Sequence, residues 1–211
     1  MFLDANSGLP GPRANLALAA AVADLADAQL IDALLAGDHE YRVLCGAMAL
    51  GGLAAEPEAA ARLRQLAADD RWRVREGVAM GLQRLGDSDL ATMESLVLDW
   101  VDDPDPLVQR AAAAAICEPR LLATPAAAAV AIEVCRRATV SLGARPSALR
   151  REPAVRTLRQ GLGYCWSVAV AADPEPGLTA FRELDGRDPD IAWIIAQNLR
   201  KTRLARLLQG A

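Results

Sequence analysis

The sequence predicts an all-α chain built as a stack of about five antiparallel helix pairs, and three observations carry that prediction. Alanine and leucine dominate the 211 residues, with two phenylalanines, two tyrosines and almost no runs of β-branched residues. Such a composition favours helix over strand. No segment alternates apolar and polar residues for long enough to read as a strand. A similar unit also recurs at a spacing of 32 residues (Asp38 onto Asp70) and then 35 (Asp70 onto Asp105), a period that signals a repeat architecture.

The helix starts are written out in order along the chain. Asp105-Pro106, Thr124-Pro125 and Asp188-Pro189 each pair a capping oxygen with a proline at the first helical position. The proline's missing N–H would have no partner there anyway, and its φ suits a helix. Glu56-Pro57, Glu152-Pro153 and Asp173-Pro174 repeat the proline signal with a weaker cap. Amphipathic segments between these marks give pairs at 15–53, 56–86, 88–117, 124–171 and 175–200, with a short closing helix in KTRLARLLQ. The fourth pair carries a long Pro- and Arg-containing connection at 143–153. Residues 1–14 read as a Gly/Pro-rich N-terminal loop, and 15–211 as a single repeat domain.

The register of the repeat comes from AMALGGL (47–53) laid over AMGLQRL (79–85). DPLVQRAAAAA then places Asp105 on Asp70 and Arg110 on Arg75, and DPDIAWIIAQNL places Trp193 on Trp72. In DRWRVREGVAMGLQRL, the residues Val74, Val78, Leu82 and Leu85 share one helix face that must pack against neighbours. Gly77 and Gly81 allow another backbone to come close. These residues resemble HEAT repeats, whose second helix commonly opens Asp-x-x-x-Val-Arg-x-x-Ala, so the fold expected is a HEAT-like α-solenoid. By that resemblance Asp70, Arg75, Asp105 and Arg110 are structural repeat residues, with the arginines bonding caps or acids between repeats. Packing near the turn is expected of both Trp72 and Trp193.

Charge narrows the function classes. A net charge of −4 argues against a surface wholly given to nucleic acid, which needs many cations at phosphates. The charge is uneven, with seven acids and no base in 87–105 and seven arginines from Arg136 to Arg159. A polarised surface is therefore expected. Cys45, Cys117, Cys135 and Cys165 have no CxxC spacing and read as buried free thiols in a reducing, cytoplasmic setting. The sole histidine, His39, lies in the turn GDHEYR, which excludes a His-based triad or metal site. No cofactor is expected, no apolar run approaches the ~18 residues of a membrane span, and MFLDANSGLPGPR does not read as a signal peptide.

One segment rises above scaffold, LRREPAVRTLRQGLGYCWSVAV (149–170). At about 100° per residue, Arg156, Arg159, Gly163 and Trp166 fall along one flank of its buried stripe, with Arg150 and Arg151 just before the helix. Arginines beside an aromatic suit an anion or a planar group. The same residues would equally serve as a core tryptophan and as counter-ions to acids of the next repeat.

HEAT-like folds also include alkylpurine DNA glycosylases, a weaker, fold-level resemblance. It would cast Trp100 and Asp103, in LDWVDDPDP, as nucleotide-contacting residues, although no clear match to that family's tryptophan–aspartate arrangement is present. The leading expectation is a non-enzymatic scaffold that binds a protein or peptide partner on a concave surface. The alternatives are a nucleic-acid-binding protein of glycosylase type and a small-molecule binder that uses the loop NSGLPGPR.

Overall fold

The computed structural model describes residues 2–209, and these contain α-helices, two short 3-10 turns and no strand. They divide into two compact units, one reaching Met93 and the other starting at Glu94. Among the described residues, no helix is long and apolar enough to cross a membrane.

The first unit holds α1 (Phe2–Ala5), α2 (Leu16–Leu25), α3 (Ala28–Leu35), α4 (Glu40–Gly51), α5 (Pro57–Ala67) and α6 (Trp72–Ser88), and the boundary falls within α7 (Leu90–Trp100). The stretch expected as one pair, 15–53, is thus three helices. The break lies at Ala26, whose backbone is extended, and Asp27 restarts the chain by accepting from the Leu30 amide at 2.8 Å.

Helix α4 is the centre of this unit, packed by α2, α3, α5 and α6. From Tyr41 to Gly51 it is buried at every position except Arg42. The stripe expected on α6 is in place, with Val74, Val78 and Leu82 fully buried and Leu85 nearly so. Glycines set the distance between the two helices. A Cβ on Gly51 would lie 2.2 Å from the Gly81 Cα, and one on Gly77 would lie 2.7 Å from the Leu44 carbonyl.

Residues 1–14 are more ordered than a plain loop. After α1 the chain turns at Ser7, which is 1 % exposed, and the Ser7 hydroxyl donates to the Asp4 carbonyl at 2.8 Å. Gly8 has φ +77, a region that L side chains rarely adopt. Three bonds tie this segment down: Tyr41 Oη to the Asn15 carbonyl at 2.6 Å, Arg73 Nη2 to the Gly11 carbonyl at 3.1 Å, and Arg42 to the Asp4 carboxylate.

The second unit holds α8 (Pro106–Ile116), α9 (Pro125–Ala144), α10 (Pro153–Ala172), α11 (Pro174–Arg182), α12 (Pro189–Leu199) and α13 (Thr202–Gln209). Its starts follow the proline marks. Asp105, Thr124 and Asp188 each accept from an amide of the first turn, whereas Glu56, Glu152 and Asp173 stand at cap positions without a side-chain bond. Helix α10 packs against α8, α9, α11, α12 and α13. Buried Asn198 fastens α12 to it, accepting from the Ser167 amide at 2.8 Å and donating to the Leu162 carbonyl at 2.9 Å.

The repeat residues take these positions. Arg75 Nη1 donates to the carbonyls of Asp69 (2.5 Å) and Asp70 (3.0 Å), closing the turn before its own helix. The carboxylate that works in that turn belongs to Asp69, which accepts from the Arg71 amide and Nε. Asp105 caps α8 by accepting from the Leu107 amide at 2.8 Å. The Arg110 stem lies along α10, 3.3 Å from where a Cβ on Gly161 would sit.

Because an added methyl on Gly81 would lie 2.8 Å from the Ala47 carbonyl, against backbone that cannot rotate away, Gly81→Ala should lower stability by about 1–3 kcal/mol. Chemical denaturation measures this, and an unchanged midpoint would show that α4 and α6 can separate freely.

Candidate functional site

Arg150, Arg151, Arg156 and Arg159 meet around one cavity of about 430 Å³, together with Ser147 and Asp190. The 3-10 turn at Leu149–Arg151 delivers the first two arginines, and the first two turns of α10 deliver the others. Two of the four are neutralised by acids of the next pair, as the scaffold alternative expects. Arg150 contacts the Asp188 carboxylate through Nη1 and the Gly143 carbonyl through Nη2, and its Nε donates to the Arg145 carbonyl at 2.8 Å. Arg159 Nη1 lies 2.5 Å from Asp190 Oδ1. Burial alone would raise the Asp188 carboxyl, but the Arg150 guanidinium and the amides of Ile191 and Asp190 outweigh it and hold it below the ordinary range. Arg151 and Arg156 are exposed and have no side-chain hydrogen bond or ion pair among the described residues.

Trp166 is not part of this cavity. It is fully buried, edge-on to Phe181 at 5.7 Å, and its Nε1 donates to Thr139 Oγ1 at 3.0 Å. Helical projection put Trp166 on the arginine flank, but α10 is enclosed by five helices and that flank is core at this depth. The aromatic beside the arginines is Trp193 of α12, whose ring centre lies 4.7 Å from the Arg159 guanidinium carbon. Gly163 admits it, since a Cβ there would sit 2.9 Å from the ring. Sequence reading missed this partner, although the repeat register placing Trp193 on Trp72 was the available signal.

The remaining arginines of the basic run are largely spent. Arg136 and Arg137 both bond Glu133 at 2.7 Å, Arg137 reaches Asp102 at 3.0 Å, and Arg145 donates to the Pro104 carbonyl at 2.9 Å. The polarised surface expected from the run thus reduces to Arg151 and Arg156. Lys201 and Arg203 cover the Tyr164 ring and do not line the cavity.

The glycosylase-type pair is placed for structure. Trp100 is 3 % exposed, so it cannot reach a nucleotide. The Asp103 carboxylate accepts from the Asp105 amide at 2.8 Å and its carbonyl from Gln109 Nε2 at 2.7 Å, which shapes the turn before α8.

A second feature lies in the first unit. Trp72 was expected to pack near its turn, but it is 50 % exposed and lies under the Arg73 guanidinium at 4.4 Å. It helps to line a cavity of about 350 Å³ with Pro12, Leu16, Leu44 and Met80. Arg73, bonded to Glu40 at 3.0 Å and to the Gly11 carbonyl, holds the loop NSGLPGPR against this cavity. His39 is exposed beside Asp4, with Nε2 3.4 Å from Oδ1.

All four cysteines are buried and free. Burial pushes the Cys45 thiol up to about 11, and the Cys135 sulfur at 3.6 Å, together with burial, raises Cys117.

Residues 28–117 match the family model described as HEAT repeats. No curated protein and no solved structure matches the chain.

Two predictions follow from these environments. Raised, shielded thiols should react slowly with a thiol reagent in the folded protein and fast in denaturant, and one rapidly reacting cysteine would contradict the burial described. The arginines, Arg136 foremost, hold Glu133 down from 4.5 to about 2. A depressed folded value means stability that is present above pH 4.5 and fades as pH falls toward about 2. The deficit of Glu133→Gln, less than about 1 kcal/mol for so exposed a pair, should therefore shrink over that window in denaturation series.

Proposed function

We propose that this chain, whose residues 28–117 match the HEAT-repeat family model, is a non-enzymatic interaction module that binds a protein or peptide partner on the concave side of its repeats. The observation that carries the reading is the half-exposed Trp72 beside an apolar cavity, with Arg73 stacked over the ring. Tryptophan and arginine are the residues most enriched at binding hot spots, where a large ring gives up much water-exposed apolar surface at little entropic cost. Leu16, 46 % exposed on the same cavity, widens the apolar face. Holding that face open to water costs the free protein free energy, which a partner's aliphatic or aromatic side chain would recover.

The alternative is nucleic-acid binding, and the arginine cavity is what speaks for it. Against it stand Trp166 and Trp100, both buried, and the commitment of most of the basic run to carboxylates and carbonyls.

Peptides selected against the purified protein from a displayed library should carry an apolar anchor residue. Their affinity should fall by about 2 kcal/mol or more in Trp72→Ala, with a melting temperature near that of the parent because the ring is half in water. Peptide binding indifferent to Trp72, alongside tight DNA-duplex binding with a steep salt dependence, would reverse the reading in favour of nucleic acid.

A further inference from the structure

The cavity at the start of α10 has an unusual charge balance. Four guanidinium groups surround it, two of them offset by Asp188 and Asp190, so two positive charges, on Arg151 and Arg156, stand uncompensated. Arg159 Nε is buried without a hydrogen-bond partner, and a buried donor of this kind calls for an acceptor. Ser147 adds a hydroxyl to the wall. The N-terminal end of α10, a helix of 20 residues whose cap residue makes no side-chain bond, contributes a positive field. The Asp188 carboxylate already occupies the corresponding end of α12.

From this we infer that the cavity is a binding site for a single phosphomonoester dianion, carried by a phosphorylated side chain. The stoichiometry favours it. A phosphomonoester brings about −1.5 to −2 charge at neutral pH and three acceptor oxygens, which match two free planar forks and an orphaned N–H. A carboxylate would leave one guanidinium without a counter-charge. A nucleic-acid backbone would need a track of cations, and the neighbouring Arg136, Arg137 and Arg145 are already bonded to Glu133, Asp102 and the Pro104 carbonyl. Planar bidentate donors also select phosphate geometry better than point charges do. The inference rests on the proposed protein partner only for the source of the phosphate, and the site itself stands on its own geometry.

The test is a calorimetric titration of the full chain with N-acetyl-O-phosphoserine amide, inorganic phosphate, N-acetyl-glutamate amide and a short DNA duplex. The phosphoserine compound should bind saturably and be displaced by inorganic phosphate, while the glutamate compound binds far more weakly. Arg151→Gln with Arg156→Gln should raise its Kd by at least about tenfold, and the melting temperature should be unchanged because neither side chain has a partner to lose. Lysine at both positions should restore only part of the affinity, since an ammonium is not a fork.

Equal binding of glutamate, phosphoserine binding indifferent to the double variant, or no saturable phosphoserine binding at all would overturn the inference. Inorganic phosphate bound while the phosphoserine compound is refused would overturn the source, and DNA bound more tightly, with a salt slope of several contacts, would overturn the single-group reading. Loss of phosphate binding together with intact Trp72-dependent peptide binding would remove this site and leave the partner proposal standing. Phosphoserine binding without any selected peptide would remove the partner proposal instead.

Discussion

At Gly51 and Gly81 two helix backbones meet with no side chain between them, and much of the first unit depends on that contact. A helix pair cannot bury its own apolar stripe and must lay it on a neighbour. Here the neighbour comes so close that α4 is enclosed on nearly every face. Once α4 is fixed, Tyr41 and Arg42 stand where they can hold the N-terminal segment by Asn15 and Asp4. That segment then forms one wall of the Trp72 cavity. A backbone distance set by absent side chains thus propagates to Trp72, a large aromatic left half open to water beside an apolar cavity.

The second unit is organised by charge compensation around a buried hub. Helix α10 gives its core face to Trp166, Leu158 and Leu162 and its early turns to arginines. Guanidinium groups at a helix start oppose the local dipole, so carboxylates are needed nearby. The N-terminus of α12 supplies them, because Asp188 accepts from its first-turn amides and Asp190 places a second negative charge in that first turn. The same two acids therefore serve the end of one helix and the cations of another. They stop short of Arg151 and Arg156, and that shortfall creates the basic cavity.

The fold was largely legible in the sequence because proline caps and recurring apolar stripes are local signals. Asp105, Thr124 and Asp188 cap the helices they were expected to start. The split of the first pair carries no such signal, because Ala26 and Asp27 sit in an alanine-rich run without a proline or glycine to mark the break. For the candidate site, the cluster of four arginines was readable from helical spacing, since all four lie within ten residues of chain. Which aromatic they face was not, because Trp193 arrives from another helix. Projection onto a single helix cannot distinguish a flank that faces solvent from one that faces a neighbour, and Trp166 shows the difference.

Asp188 does two jobs with one carboxylate: it caps α12 and neutralises Arg150. Fraying of the first turn of α12 would set the carboxylate moving and strip a counter-ion from the cavity wall, so the order of that helix end and the potential in the cavity are thermodynamically linked. The cap uses Oδ1 and the Arg150 contact Oδ2, and whatever coupling joins them is reciprocal: an anion that drew Arg150 away would weaken the cap by the same free energy with which the intact cap disfavours that anion. In that linkage Asp188, at the opening turn of α12, competes with an anion for Arg150 alone, and leaves Arg151 and Arg156 outside its reach.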